Sequence, residues 1–212
     1  MGGRVVKCPY CGSKNTAKIL YGFPAFDEKL QSELASGKVA LGGCCISEIQ
    51  VNGKIVNLKP ARKCNNCQKE FGTPPMLFKG TNGEVEDYRE VVTKISFFVG
   101  GFFGGQTMIT IVKDDRGAEV SYGTMDDTDE YRISVDQWKH ILDKLYEKMY
   151  LHEWKKSYVD EQVLDGTQWE LKLTLTDKRR RNYYGSNMYP PYWKELEKLF
   201  ASIKKMNREN VF

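Results

Sequence analysis

Cys8-Pro9-Tyr10-Cys11-Gly12 and Cys64-Asn65-Asn66-Cys67-Gln68 are the stretches whose reading decides the fold of the first part of the chain. Each holds two cysteines separated by two residues. Two intervening residues close a tight turn that aims both thiolates at one point, about 2.3 Å from a shared zinc. Gly12 suits such a turn because it tolerates a positive φ. Two such knuckles supply four sulfurs, which completes a tetrahedron and leaves no position for water. The pattern therefore predicts a structural Zn2+ held by Cys8, Cys11, Cys64 and Cys67. A thioredoxin-like redox motif needs only one such pair, and an iron–sulfur or rubredoxin-like iron centre uses similar ligands. Both stand beside zinc as alternatives. The other two cysteines, Cys44 and Cys45, follow Gly42-Gly43 in an apolar setting, between Val39-Ala40-Leu41 and Ile46. They read as buried thiols outside the site, with a role as alternative metal ligands as the other reading.

Working outward, the chain between the knuckles is not merely polar. Thr16 to Tyr21 reads as a strand, broken by Gly22-Phe23-Pro24. Ala25 to Ser36 carries Phe26, Leu30 and Leu34 at helical spacing, with Gly37 as its stop. Lys38 to Ile46 reads as extended, and Glu48 to Val56 as a hairpin turning at Asn52-Gly53. Thr73-Pro74-Pro75 marks a boundary, giving a zinc-ribbon domain over 1–72 with an inserted helix and hairpin, and an α+β domain over 73–212. Charge divides at the same place. Residues 1–72 hold 11 Lys and Arg against 5 Asp and Glu, a net +6; residues 73–212 hold 21 against 23, a net −2. The overall +4 thus conceals a basic small domain joined to a slightly acidic larger one.

The 212 residues are 41% hydrophobic and 28% charged, which excludes wholesale disorder. The longest uncharged stretch, Ile95 to Val112, is interrupted by Gly100, Gly101, Gly104 and Gly105, so no membrane span is expected. The opening residues lack the apolar run of a secretory signal, and the expected location is cytoplasmic.

The larger domain reads as antiparallel strands with two main helices, arranged as a ββα–ββα duplication. Thr107 to Val112 and Ala118 to Tyr122 flank the turn Asp114-Asp115-Arg116-Gly117. Trp169 to Thr176 and Arg181 to Tyr184 flank Asp177-Lys178-Arg179-Arg180. After each hairpin comes a helix with Trp-Lys near its start. Ile141, Leu142, Leu145 and Met149 form one apolar face; Leu196, Leu199, Phe200 and Ile203 form the other. Ser134 with Gln137 is a capping box, and Pro190-Pro191 suits a first helical turn. The units differ mainly by a longer link before the first helix.

The stretches Cys8 to Gly12, Ile19 to Pro24 and Val39 to Cys44 resemble the start of small bacterial zinc-ribbon proteins of unknown function. Leu164-Asp165-Gly166-Thr167-Gln168-Trp169 and Tyr184-Gly185-Ser186-Asn187-Met188-Tyr189-Pro190 are similar to a domain of uncharacterised bacterial proteins, with Phe97 to Gly105 as its leading strand. The resemblance implies the two-domain division and a bacterial source. It brings no activity and no catalytic residue.

Three functional classes follow. The first is a non-catalytic adaptor whose ribbon is folded by zinc and whose larger domain engages a protein partner. The second is nucleic-acid binding through the basic ribbon and the turn Lys178, Arg179, Arg180 and Arg181, with Tyr183, Tyr184, Tyr189 and Tyr192 close by in sequence. Its bland counterpart is a solvated turn with the tyrosines in the core. The third, an enzyme of unrecognised type, lacks support: no Gly-x-Ser-x-Gly elbow, phosphate loop or His-Glu-x-x-His is present. The only histidines, His140 and His152, lie in a helical stretch expected from Gln137 to about Lys156, about 18 Å apart along its axis. The Gly100 to Gly105 run reads as strand kinks rather than a dinucleotide fingerprint. Asp126, Asp127, Asp129 and Glu130 lack the glycine and closing glutamate of an EF-hand calcium loop and read as a solvated loop.

Overall fold

The computed structural model describes residues 6–45, 47–51, 54–79, 84–101, 105–124, 127–163 and 165–209. The protein is α+β with a small cysteine-bearing ribbon. It divides into two compact units, Met1–Met76 and Leu77–Phe212.

In the first unit the elements are β1 (Thr16–Leu20), α1 (Glu28–Ala35), β2 (Val39–Leu41), β3 (Glu48–Val51), β4 (Lys54–Asn57), β5 (Arg62–Cys64) and β6 (Glu70–Phe71). Four of these strands form a sheet in the order β2-β1-β5-β6. β1 runs antiparallel to β5, with Thr16 opposite Cys64, and parallel to β2. The buried apolar set is small: Cys8, Ala17, Ile19, Leu30, Cys64 and Phe71 among the described residues. Asp27 caps α1 by accepting from the Leu30 amide at 2.8 Å, and Gly37 follows at φ +68°. The helix is shorter than its apolar spacing suggests. Leu30 is buried, but Phe26 is 64% exposed because it precedes the cap. β3 and β4 pair antiparallel with Val51 opposite Lys54, while the turn residues Asn52 and Gly53 lie outside the described residues.

β2 ends at Leu41 rather than running on to Ile46, which is itself outside the described residues. A Cβ at Gly42 would stand 2.3 Å from the Tyr21 ring, and Gly43 takes φ +82°. The chain leaves the sheet there. Cys44 and Cys45 are consequently exposed, which corrects the expectation of buried thiols.

The second unit follows with β7 (Met76–Lys79), β8 (Glu84–Asp87), α2 (Tyr88–Val91), β9 (Val92–Gly101), β10 (Thr107–Asp114), β11 (Gly117–Gly123), β12 (Thr128–Ile133), α3 (Val135–Asp143), β13 (Ser157–Val159), β14 (Thr167–Leu175), β15 (Arg180–Ser186) and α4 (Trp193–Glu209). Seven strands form one sheet, ordered β12-β11-β10-β9-β14-β15-β13. β9 is the axis, antiparallel to β10 on one side and to β14 on the other. Alternation along the central stretches of β9, β10 and β14 gives the sheet one buried face. Ile109, Phe97 and Leu171 stand in register, as do Ile111, Ile95 and Leu173, and all are buried. The two helices cover that face with the expected residues: Ile141, Leu142, Leu145 and Met149, then Leu196, Leu199, Phe200 and Ile203, all buried. Phe97 stacks on Phe200 at 4.4 Å, and the Tyr131 hydroxyl donates to the Ile203 carbonyl.

Both hairpins form, but the halves are less alike than two ββα units. The link before the first helix is a third strand, β12, paired along β11. The second half instead adds β13, parallel to β15. Nor does the first helix run on to Lys156. It passes from α3 into a π-helical turn at Lys144–Lys148, Tyr150 turns left-handed at φ 55°, and Leu151–Glu153 forms a 3-10 turn. The Trp154 indole N–H folds back onto the Met149 carbonyl at 2.8 Å, satisfying an end carbonyl that a continuous helix would have paired. The capping box is complete: the Gln137 amide donates to Ser134 Oγ, and the Ser134 amide to Gln137 Oε1. Ser134→Ala should lower the unfolding free energy by about 1 kcal/mol, measured by urea titration. Among the described residues no helix is long and apolar enough to cross a membrane.

Candidate metal centre

The two knuckles approach because β1 and β5 pair. One knuckle precedes β1, and the other is the turn between β5 and β6. Their backbones match. The Gly12 amide donates to the Cys8 carbonyl and the Gln68 amide to the Cys64 carbonyl, each at 2.9 Å. Around these, the Cys8 amide donates to the Ser13 carbonyl and the Cys64 amide to the Lys69 carbonyl. The residue after each second cysteine is left-handed, Gly12 at φ 76° and Gln68 at φ 61°. The second knuckle thus holds a side chain where the first has glycine, and the left-handed backbone at Gln68 is what its residue type does not signal.

Cys8 Sγ lies 3.7 Å from Cys67 Sγ, and Cys11 Sγ lies 3.6 Å from Cys64 Sγ. All four sulfurs fall within 4.8 Å of one another, and all four cysteines are free. A tetrahedron with metal–sulfur bonds of about 2.3 Å has edges of about 3.8 Å. The cluster therefore has the size of a four-thiolate metal site. Burial pushes the Cys8 thiol up to about 12. Burial also works against the Cys64 thiolate, but the Cys67 and Asn66 amides aimed at its sulfur outweigh it and bring that group to about 7. A cation held at the centre would allow all four to be thiolates together.

No other group of three or more potential metal ligands comes together among the described residues. Asp126 of the acidic loop lies outside them. His140 is exposed on α3; His152 sits beneath Tyr146, ring centroids 6.3 Å apart, with its Nε2 3.5 Å from a Glu153 carboxylate oxygen. Asp143 and Glu147 are closed onto Arg89 at 2.8 and 2.6 Å, and the Tyr88 hydroxyl donates toward both. The described groove on the second unit is open and lies above β10–β12; its Arg132 is held by Asp114 and Glu119.

The four cations of the basic turn do not act as a block. Arg179 is bound by Asp177 and by Glu86 at 2.8 Å. Lys178 sits at the turn with φ 65°, and alternation sends Arg180 and Arg181 to opposite faces of β15. The tyrosines divide too: Tyr183 and Tyr192 are buried, Tyr184 and Tyr189 exposed.

The distinctive words of the second unit are absorbed by packing. A Cβ at Gly166 would stand 1.9 Å from Asn187 Oδ1, which accepts from the Thr167 amide. Asn187 itself is left-handed at φ 57°. A Cβ at Gly185 would stand 2.2 Å from the Trp169 indole nitrogen, which donates to the Met188 carbonyl. These segments clasp one another rather than expose chemistry. One feature escaped the sequence reading. Phe23 is 93% exposed and Leu41 54%. Leu41 is paired with Leu20, and the Gly22 amide donates to the Gly43 carbonyl, so both side chains flank one end of the ribbon sheet.

No protein-family model, curated protein or solved structure matches the chain.

Proposed function

We propose that the chain is a non-catalytic zinc protein of the bacterial cytoplasm, in which structural Zn2+ on Cys8, Cys11, Cys64 and Cys67 folds a ribbon that docks a protein partner. The observation that carries the metal reading is the pair of sulfur–sulfur separations, 3.6 and 3.7 Å, set at the edge length of a zinc–thiolate tetrahedron. Four protein sulfurs leave no coordination position for substrate, so the metal's role is structural. The partner reading rests on the exposed apolar end of the ribbon, Phe23, Phe26 and Leu41, in a domain whose basic charge favours an acidic partner surface.

Metal analysis of protein purified without chelator should find one zinc per chain. Iron in its place, or no metal, sinks the metal reading. For the partner, a Phe23→Ala/Leu41→Ala double variant should keep its zinc yet lose a protein that the wild-type chain captures from its own cells. Equal capture by both forms would remove this surface from consideration.

A further inference from the structure

Helices cover one face of the seven-stranded sheet; among the described residues of this unit none of the hydrophobic core stands on the other face. Register across β9, β14 and β15 orders what stands there. Phe98, Glu170 and Tyr184 form one row, with Met108 beside Phe98 on β10. Tyr184 is 49% exposed, and the Phe98 ring lies back along its strand, its Cζ 3.0 Å from where a Cβ of Gly100 would be. One row on, Lys172 lies between Ser96 and Asn182. In the next row Lys94 and Arg180 flank Thr174. Successive rows are about 7 Å apart and neighbouring strands about 4.8 Å, so the two rings stand about 10 Å apart with cations along one side of them. Glu170 is the one carboxylate on this half of the open face among the described residues, and Lys172 holds it at 2.7 Å. The other half differs: Asp114, Glu119 and Glu130 outnumber Arg132. The face is thus split into an anionic half and a half of rings, cations and neutral hydrogen-bonding groups.

We infer that the β9–β14–β15 half binds single-stranded nucleic acid, with bases stacked on Phe98 and Tyr184 and phosphates met by Lys94 and Arg180, while Lys172 neutralises Glu170 between the rings. Rings lying on a sheet need the faces of bases, which a duplex keeps stacked inside itself; cations in rows need a phosphate backbone alongside. The anionic half confines the strand to this side. Of the basic turn only Arg180 takes part through this face. The site lies wholly on the second unit and does not depend on the metal reading.

The test is fluorescence anisotropy of the full-length, metal-loaded chain with labelled oligouridine and oligothymidine of about 12 nucleotides, from about 50 mM salt upward. The expected slope of log K against log salt is about −1.4, from two phosphate contacts. Tyr184→Ala should weaken binding about 5- to 100-fold, the worth of one stacked base, whereas Tyr184→Phe should preserve it. Arg180→Gln should weaken binding and reduce the slope by about 0.7, and Arg181→Gln should do neither. Thermal unfolding of each variant verifies its fold. The inference is overturned by no binding to either oligonucleotide, by a duplex binding as tightly as the single strands, by wild-type affinity in Tyr184→Ala, or by Arg181→Gln matching Arg180→Gln.

Discussion

Cys64→Ser, or removal of the metal by a chelator, should unfold the ribbon and leave the second unit folded. The physical reason is the size of the two cores. Among the described residues the ribbon buries six apolar side chains, and two of those, Cys8 and Cys64, are themselves ligands. So few cannot offset the conformational entropy of ordering some seventy residues. Structural zinc supplies about 10–16 kcal/mol in small metal-folded domains, which reverses that balance. The second unit owes nothing to the site: Ile95, Ile111, Trp138, Leu171, Leu196 and their neighbours form a continuous core of their own. Limited proteolysis with mass spectrometry should show cleavage moving into the ribbon after chelation, while peptides from β9 to α4 stay protected. Unchanged protection of β1 and β5 after the metal has left would refute the zinc-folded ribbon. Acid should act in the same direction. Binding requires thiolates, and burial holds the Cys8 thiol at about 12, so each fall in pH returns protons that compete with the cation. Zinc affinity measured by competition with a chromophoric chelator should therefore decrease steadily on acidification.

What could be read from residues alone followed the reach of each signal. Periodicity is local, and it located β1, both long hairpins and the buried faces of α3 and α4, because one face of each element meets a core. The Cys-x-x-Cys spacing is local too, yet it implied a long-range fact, since two half-sites make sense only together. Where position is decided by a partner distant in sequence, the reading stopped. The link through Thr128–Ile133 carries alternating polar residues and becomes strand β12 only because β11 offers it an edge. Tyr150 ends the first helix in a left-handed turn that no residue preference announces; the Trp154 indole, four residues on, closes that end. Leu41 and Phe23 are large apolar residues yet stand exposed at one end of the ribbon sheet, which residue type alone does not announce. Arg179 was one of four cations in the sequence; it is spoken for by Glu86, ninety-three residues earlier. The pairing of Arg180 with Tyr184 on one open face was present in the alternation of β15, but which face was open depended on where both helices packed.

Gly185→Ala is the substitution on which the packing account of the second unit stands most exposed. The new Cβ would lie 2.2 Å from Trp169 Nε1 and 2.6 Å from the Met188 carbonyl oxygen. Neither neighbour has room to withdraw. Trp169 is 2% exposed and wedged between Tyr158 and Trp193, at ring-centroid distances of 5.9 and 5.1 Å. The carbonyl is backbone, held in the segment where Asn187 is left-handed and clasps Thr167. Relief of the overlap must therefore break the indole-to-carbonyl hydrogen bond of 2.9 Å and leave both groups unpaired. Overpacking costs about 1–3 kcal/mol and each stranded buried polar group about 1–3 kcal/mol, so the expected loss is about 3 kcal/mol or more. Gly105→Ala, where nothing lies within 4 Å of the new atom, is the matched control and should change stability by less than about 0.5 kcal/mol. Trp169→Phe isolates the hydrogen bond from the overlap: it keeps an aromatic ring, strands the Met188 carbonyl and should cost an intermediate amount. Urea unfolding of the three variants, followed by tryptophan fluorescence and circular dichroism, gives the ordering directly. If Gly185→Ala were as mild as Gly105→Ala, the glycine would not be there for the indole. The Tyr184-Gly185-Ser186-Asn187 segment would then need a reason in ligand binding rather than in packing.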